Sequence, residues 1–233
     1  SGSYRSMPGI LGTVVNIGFG DLTRKSDISP EEFRIKLNTY RMFLSTYGNV
    51  VYGINEIEFS NIVTDVKDEL RKESLAKTRW EDLKNDHIVT IVNRFRELIE
   101  KTAAKMAVGS PTKPDWDDPL SLLADATIGI WDSWNSEAAL KLRQFLSISD
   151  DWKTAVILME MKLADRNNRS FSAILFSGDP QGKNNQPHGD ILFGRAGEDI
   201  AAGLASQGTA LESLEDTNPA LYDQIVDLLE EVK

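Results

Sequence analysis

An α+β fold is predicted by three features of the sequence. Apolar residues recur at three- and four-residue steps through the first half, short strand-like apolar runs follow residue 150, and a proline- and aspartate-rich connection, "VGSPTKPDWDDP", lies between. The resulting expectation is a helical block followed by a small antiparallel sheet and a closing helix.

The chain opens on "SGSYRSMPGILGTVVNIG", with four glycines around a Met-Pro pair. Glycine there serves either a tight turn that packs Met7 and Ile10 or a loop whose backbone approaches a ligand. "SDISPEEF" reads as a helix start, with Ser29 at the N-cap, Pro30 at the first helical position and two acids in the first turn. Phe33, Leu37, Tyr40, Phe43, Leu44 and Tyr47 form its apolar face, and "YGNVVYGI" is expected to interrupt it. A second helix places Ile57, Ile62, Val63 and Val66 on one side. A third, long helix over "WEDLKNDHIVTIVNRFRELIEKTAAKM" places Leu83, Ile88, Ile91, Val92, Phe95 and Leu98 together. Residues 23–108 thus read as helical.

Beyond the connection, "DPLSLLADATIGIWDSWNSEAALKLRQFL" reads as helix with Trp131 and Trp134 on one face, as core residues rather than a stacking platform. "WKTAVILMEMKLA" and "SFSAILFS", separated by the polar "DRNNRS", predict an antiparallel strand pair. "DILFG" is a third strand and "PALYDQIVDLLEEV" the last helix.

Composition narrows the function classes. The chain has 233 residues, 41% of them hydrophobic and 27% charged, as expected for a protein that buries a core. Its 26 Lys and Arg against 36 Asp and Glu leave a net charge of -10, which repels nucleic acid and anionic membrane surfaces. Without cysteine there is no disulfide, thiolate metal site or cysteine nucleophile; with no signal pattern or apolar span either, a cytoplasmic location is expected. His87, inside a helix, and His188, in a polar loop, are expected to be a helix-surface and a solvated residue.

Five blocks carry a resemblance. "SGSYRSMPGILGTVVNIGFGD" is similar to the Ser-Gly-Ala-x-x-Ser-Met-Pro-Gly-Met-Met-Asp-Thr-x-x-Asn-Leu-Gly stretch of pyruvate, phosphate dikinases. "TYRMFLSTYGNVVYGI" resembles that family's Tyr-Arg-Arg-Phe-x-x-Met-Phe-Gly-x-Val-Val helix, and "WDSWNSEAALKLR" its Ser-Trp-Asn block ending in Arg. "DDWKTAVILMEM" resembles the Asp-Asp-Trp-Gly-Thr-Ala-Val strand, and "GDILFGRAGEDIAAG" the Gly-Glu-x-Leu-x-Asn-Ala-Gln-Gly-Glu-Asp-Val-Val-Ala-Gly segment. The blocks are collinear from Ser1 to Gly203. The resemblance implies part of an ATP-grasp nucleotide-binding domain interrupted by a helical subdomain. Residues 1–22 would be its phosphate-loop segment, 23–118 the inserted helices, and 119–233 the part with strands and C-terminal helix.

It also implies ATP and Mg2+ as ligands, with the opening loop closing over the nucleotide phosphates. Arg5, Ser6, Met7, Pro8, Gly9 and Thr13 would contribute there, Ser6 and Thr13 through hydroxyls and the glycines through close backbone approach. The run from Val156 to Met159 would floor the adenine pocket, and Asp190 would contact magnesium, with the phosphates supplying further oxygens. Glu198 and Asp199 are metal contacts or helix caps. In the family such a domain passes a phosphoryl group from ATP to a carrier histidine on another domain, towards phosphoenolpyruvate. Relative to the family pattern the chain is expected to be truncated at both ends, without an Arg and a Lys upstream and a Glu and a Gln downstream, and therefore inactive alone.

Four departures favour the alternative, a non-catalytic module that keeps the fold. Met159 replaces a Gln, Gly178 an Arg, Gly12 an Asp and Ala196 a Gln. Each removes a polar or charged group that phosphoryl transfer would use.

Overall fold

A computed structural model describes residues 7, 9–18, 28–73, 80–106, 113–164, 169–178, 186–194 and 208–231. The chain divides into two units, residues 1–160 and 161–233.

The first unit is helical. Helix α1 spans Pro30–Tyr52. The Ser29 hydroxyl accepts from the Glu32 amide at 3.1 Å, and Gly53 ends the helix in the left-handed region (φ 67°). The expected break at "YGNVVYGI" is absent, because Gly48 is used inside the helix. A Cβ there would lie 2.6 Å from Phe59 Cζ, so glycine lets neighbouring side chains approach. All six apolar residues expected on the α1 face are buried.

Helix α2 spans Glu56–Glu73 and α3 Asn85–Ala103. Ile57 is 64% exposed, contrary to its expected place on the α2 core face; Phe59 is buried instead, in phase with Ile62, Val63 and Val66. The third predicted helix starts late. Trp80–Asp82 is a single tight turn, Leu83 is buried before the helix begins, and the Lys84 amide donates to Nδ1 of His87 at 3.0 Å. His87 thus has a capping role that its sequence position does not reveal.

Helix α4 (Pro119–Asp132) starts at Asp118, whose carboxylate accepts from the Leu120 amide at 3.0 Å. The single helix expected from 118 to 146 is broken by a tight turn at Ser133–Asn135. Helix α5 (Glu137–Phe145) then restarts at Ser136, which accepts from the Ala139 amide. The break separates the two tryptophans. Trp134 is buried, whereas Trp131 is 52% exposed.

The core of this unit is aromatic along α1. Phe43 packs on Tyr47 at 5.2 Å between ring centroids, and Trp116 meets both edge-on at 6.5 and 6.1 Å. The Tyr47 hydroxyl donates to Asp125 at 3.0 Å. Burial, with the charge of Asp125, pushes the Tyr47 phenol far above its ordinary range, and burial likewise pushes Tyr52 up to about 12. Trp116 Nε1 donates to Glu100 at 2.9 Å, and Lys113 pairs with the other oxygen at 2.9 Å. Burial raises the Glu100 carboxyl, but these two donors outweigh it and hold the group below its usual range.

The strand expected over 152–164 does not form a ladder among the described residues. Only Ala155 makes an isolated bridge there, and Ile157, Leu158 and Met159 are exposed. The antiparallel pair is instead β1 (Phe171–Phe176) with β2 (His188–Phe193), in the second unit, and β3 (Thr209–Ala210) pairs with β2 on its other side. Gly189 has φ 147°, and a Cβ there would stand 2.1 Å from the Ile174 carbonyl, so only glycine fits. One sheet face carries Phe171, Ala173, Leu175 and Ile191 onto Leu211, Leu214, Ile225 and Leu229. These come from the turn Leu211–Ser213 and from helices α6 (Leu214–Thr217) and α7 (Pro219–Glu231).

Two outcomes test this packing. A Cβ at Gly129 would lie 2.8 Å from the Val50 carbonyl. Gly129→Ala is therefore expected to cost about 1–3 kcal/mol in urea unfolding, although helix propensity alone favours Ala by about 1 kcal/mol. Trp116→Phe is expected to cost about 1–2 kcal/mol at neutral pH through the lost hydrogen bond to a charged group. Because the Glu100 carboxyl is held low in the folded chain, its contribution is present above the ordinary carboxylate range and fades as pH falls through the folded value. Urea melts across that range should show a shallower acid loss in Trp116→Phe than in the parent chain.

Candidate functional site

The opening loop is laid across the first unit by its backbone. Gly9 adopts φ 72°, and the Ile10 amide returns to the Met7 carbonyl at 3.2 Å. Met7 is buried with Trp134 and Ile148, while Ile10 and Leu11 pack on the same cluster. The Gly12 amide donates to Ser133 Oγ at 2.9 Å, and that hydroxyl donates to the Ile130 carbonyl at 2.7 Å. Gly12 faces Val50 of α1, where a Cβ would sit 3.1 Å from Val50 Cγ2. Further on, the Val15 amide donates to Thr46 Oγ1 at 3.3 Å, and Asn16, left-handed at φ 61°, is buried with its amide donating to the Thr39 carbonyl at 3.4 Å. The side chains that anchor the loop point inward. Gly9 and Thr13 remain exposed.

Trp134 links this loop to a cavity of about 400 Å³ lined by Trp131, Trp134, Asn135, Lys153 and Thr154. Arg143 lies over the Trp134 ring at 4.4 Å and donates to Asp150 at 3.1 Å. Among the described residues, Nε and Nη1 of Arg143 and Nε1 of Trp134 are buried donors with no acceptor. Arg143 does not line the cavity, whose polar groups come from Trp131, Trp134, Asn135, Lys153 and Thr154. The chain then leaves the cavity at Thr154. Val156 is half-buried and Met159 is 77% exposed.

Of the residues expected to hold nucleotide, Arg5, Ser6 and Pro8 lie outside the described residues, as do Ala196, Glu198 and Asp199. Met7, Gly9 and Thr13 share one loop, and Met7 is buried in one cluster with Trp134 and Ile148. Asp190 is in the second unit, on β2 opposite Ile174, on the outward sheet face that also carries Phe176 and His188. His188 is not a loop residue: it begins β2 and stacks on Phe176 at 5.2 Å. No group of three or more metal-ligating side chains occurs among the described residues. Asp190 alone fits Mg2+ only in the mode where phosphate and water oxygens complete the shell, which is the usual one for that ion. Gly178, half-buried just past β1, brings no charge to the end of that strand.

Sequence reasoning missed Lys153, Asn135 and the exposed ring of Trp131 as cavity residues. For Lys153 the signal was present: a cation stands where the family block has glycine.

These parts define an α+β chain with a helical unit and a small antiparallel sheet. More particularly, the chain is related to the pyruvate, phosphate dikinases, as its motif blocks imply. It is 29% identical over 227 residues to pyruvate, phosphate dikinase 2 of Zea mays, covering 97% of this chain and 24% of that protein. It is 28% identical over 234 residues to pyruvate, phosphate dikinase of Clostridium symbiosum, covering 98% and 25%, and 27% identical over 217 residues to that of Rhizobium meliloti, covering 91% and 22%. The chain thus spans about a quarter of the length of the curated relatives it matches. No family model matches it. Among the described residues, no helix is long and apolar enough to cross a membrane.

The seating of the loop is testable. Ser133→Ala removes both the acceptor for the Gly12 amide and the donor to Ile130. It should accelerate hydrogen exchange at Gly12 while α1 amides stay protected, with a stability loss of about 1–2 kcal/mol.

Proposed function

We propose that this chain is the ATP-binding region of a pyruvate, phosphate dikinase-like phosphotransferase, which passes a phosphoryl group from ATP to a carrier histidine on another domain, towards phosphoenolpyruvate. The observation that carries this reading is the meeting at Trp134 of the two blocks that the family resemblance ties to nucleotide, the opening loop and the segment entering at Lys153. The division into a phosphate-loop segment (1–22), inserted helices (23–118) and a strand-bearing part (119–233) of an ATP-grasp-like domain belongs to the same proposal.

In this reading the Thr13 hydroxyl, with Arg5, Ser6 and the loop amides around Pro8 and Gly9, orients the phosphates. The buried Met7 holds the loop in place. Lys153 adds a cation at the cavity, and the run from Val156 to Met159 lies against the adenine. Asp190 offers one carboxylate to the metal. Mg-ATP, when bound, supplies the phosphoryl group and the divalent charge that offsets its oxygens. The second reading, a module that keeps the fold without nucleotide chemistry, is favoured by the exposed Met159 in place of an amide and by the uncharged Gly178.

Thermal unfolding with millimolar Mg-ATP separates the two. A hundredfold excess over Kd should raise Tm by about 5–10 °C for a chain of this size, with Thr13→Ala and Lys153→Met each reducing the rise. A Tm indifferent to Mg-ATP would support the non-catalytic reading and remove the first.

A further inference from the structure

The helical block holds a second cavity, of about 340 Å³, in the cleft between α1, α2 and α3. None of its residues is among those proposed for nucleotide. The α2 wall is a single stripe: Glu56, Phe59, Ser60 and Val63 recur at three- and four-residue steps and so share one face of that helix. Phe95 of α3 completes the apolar part, its ring 4.8 Å from that of Phe59. Elsewhere on the lining, Trp80 is held by Arg34, which donates to its carbonyl at 3.0 Å, and Arg41 is stacked over its ring at 4.8 Å. Arg41 is wall here, committed to the indole.

The polar groups of the lining offer acceptors. The Ser45 hydroxyl gives its proton to the Met42 carbonyl at 3.1 Å, and Thr46 gives its own to the Met42 and Phe43 carbonyls at 3.0 and 3.1 Å. The Glu56 carboxylate only accepts, and no described residue pairs with it. Ser60, exposed on α2, can accept as well as donate. An occupant that satisfies this lining therefore brings donors, and one that fills it brings an apolar ring. Glu56 and Val63 are about 10 Å apart along α2, the length of an aromatic ring with a short alkylamine arm. The net charge of -10 favours a cation over an anion as the visitor.

We propose that this cleft is a ligand site for a small arylalkyl ammonium, its ring against Phe59, Val63 and Phe95 and its ammonium donating to Glu56. Glu56 and Ser60 are exposed, so the entrance lies on the α2 side. Thr46, which accepts the Val15 amide of the opening loop, also lines the cleft, so an occupant would touch a residue that anchors that loop.

2-Phenylethylamine is a suitable probe, titrated into the 233-residue chain with indole fluorescence and amide chemical shifts as readouts. Saturable binding is expected, with shifts centred on Glu56, Ser60 and Trp80. Replacing the probe by 2-phenylethanol, which has the same shape without the charge, should weaken binding by about threefold to fivefold, and Glu56→Gln should weaken the amine by a similar factor, as an exposed ion pair allows. Phenylacetate, of opposite charge, should bind more weakly still. Ser60→Leu, a change at an exposed helix position that fills the cleft, should abolish binding while leaving Tm unchanged. Absence of saturable binding, equal or tighter binding of 2-phenylethanol or phenylacetate, or unaltered binding to Glu56→Gln or Ser60→Leu would each overturn the proposal. Should Ser60→Leu fail to fold, Glu56→Gln and the two uncharged and anionic analogues decide.

Discussion

Close approach to α1 is the constraint on which the first unit depends. Two glycines permit it: Gly48 on α1 itself, against Phe59 and Ile99, and Gly129 on α4, against the Val50 backbone. A methyl group at either position would meet another atom below 3 Å. Interiors packed at crystal-like density do not absorb such an intrusion without moving a whole element. Because α4 sits so near to α1, the turn that follows it presents Ser133 and Trp134 to the opening loop, and the Tyr47 hydroxyl reaches Asp125.

The opening loop is therefore held by the helical block rather than by its own turns. Its apolar residues go inward, to Trp134 and Ile148 from Met7 and to the α1 core from Val14 and Ile17, while two of its amides end on hydroxyls of Ser133 and Thr46. The turn reading and the ligand-loop reading of its glycines are compatible in physical terms. Packing uses one side of the loop and leaves Gly9 and Thr13 on the other. A loop anchored in this way loses little further entropy when a ligand arrives, which is what a phosphate-binding loop requires.

Much of this was legible in the sequence, and the exceptions share a cause. Ser29 with Pro30 begins a helix because its hydroxyl caps the Glu32 amide, a local effect readable within four residues, whereas the restart at Ser136 lies inside a stretch that reads as one helix. The apolar face of α1 was equally plain from its period. By contrast, Ile57 fits a helical apolar pattern and is exposed, because it lies off the face of α2 that Phe59, Ile62, Val63 and Val66 turn to the core. Trp131 and Trp134 are three residues apart yet differ in burial, because the helix between them ends. The run from Val156 to Met159 has strand composition but no ladder, since composition cannot name the partner that a strand needs.

Of the candidate site, the sequence by itself determined the order and chemistry of the blocks: a glycine-punctuated loop, a Ser-Trp-Asn block, an apolar run from Val156 to Met159, and an acid on a strand. These follow from residue type and spacing, which are properties of the chain alone. Only the tertiary structure decided that Met7 is an anchor beside Trp134, that Lys153 and Thr154 share a cavity with that indole, that Arg41 stacks over Trp80, and that β1 pairs with β2. Each of these joins residues far apart in the chain. Which distant groups meet depends on how closely whole helices and strands can pack, and no local propensity encodes it.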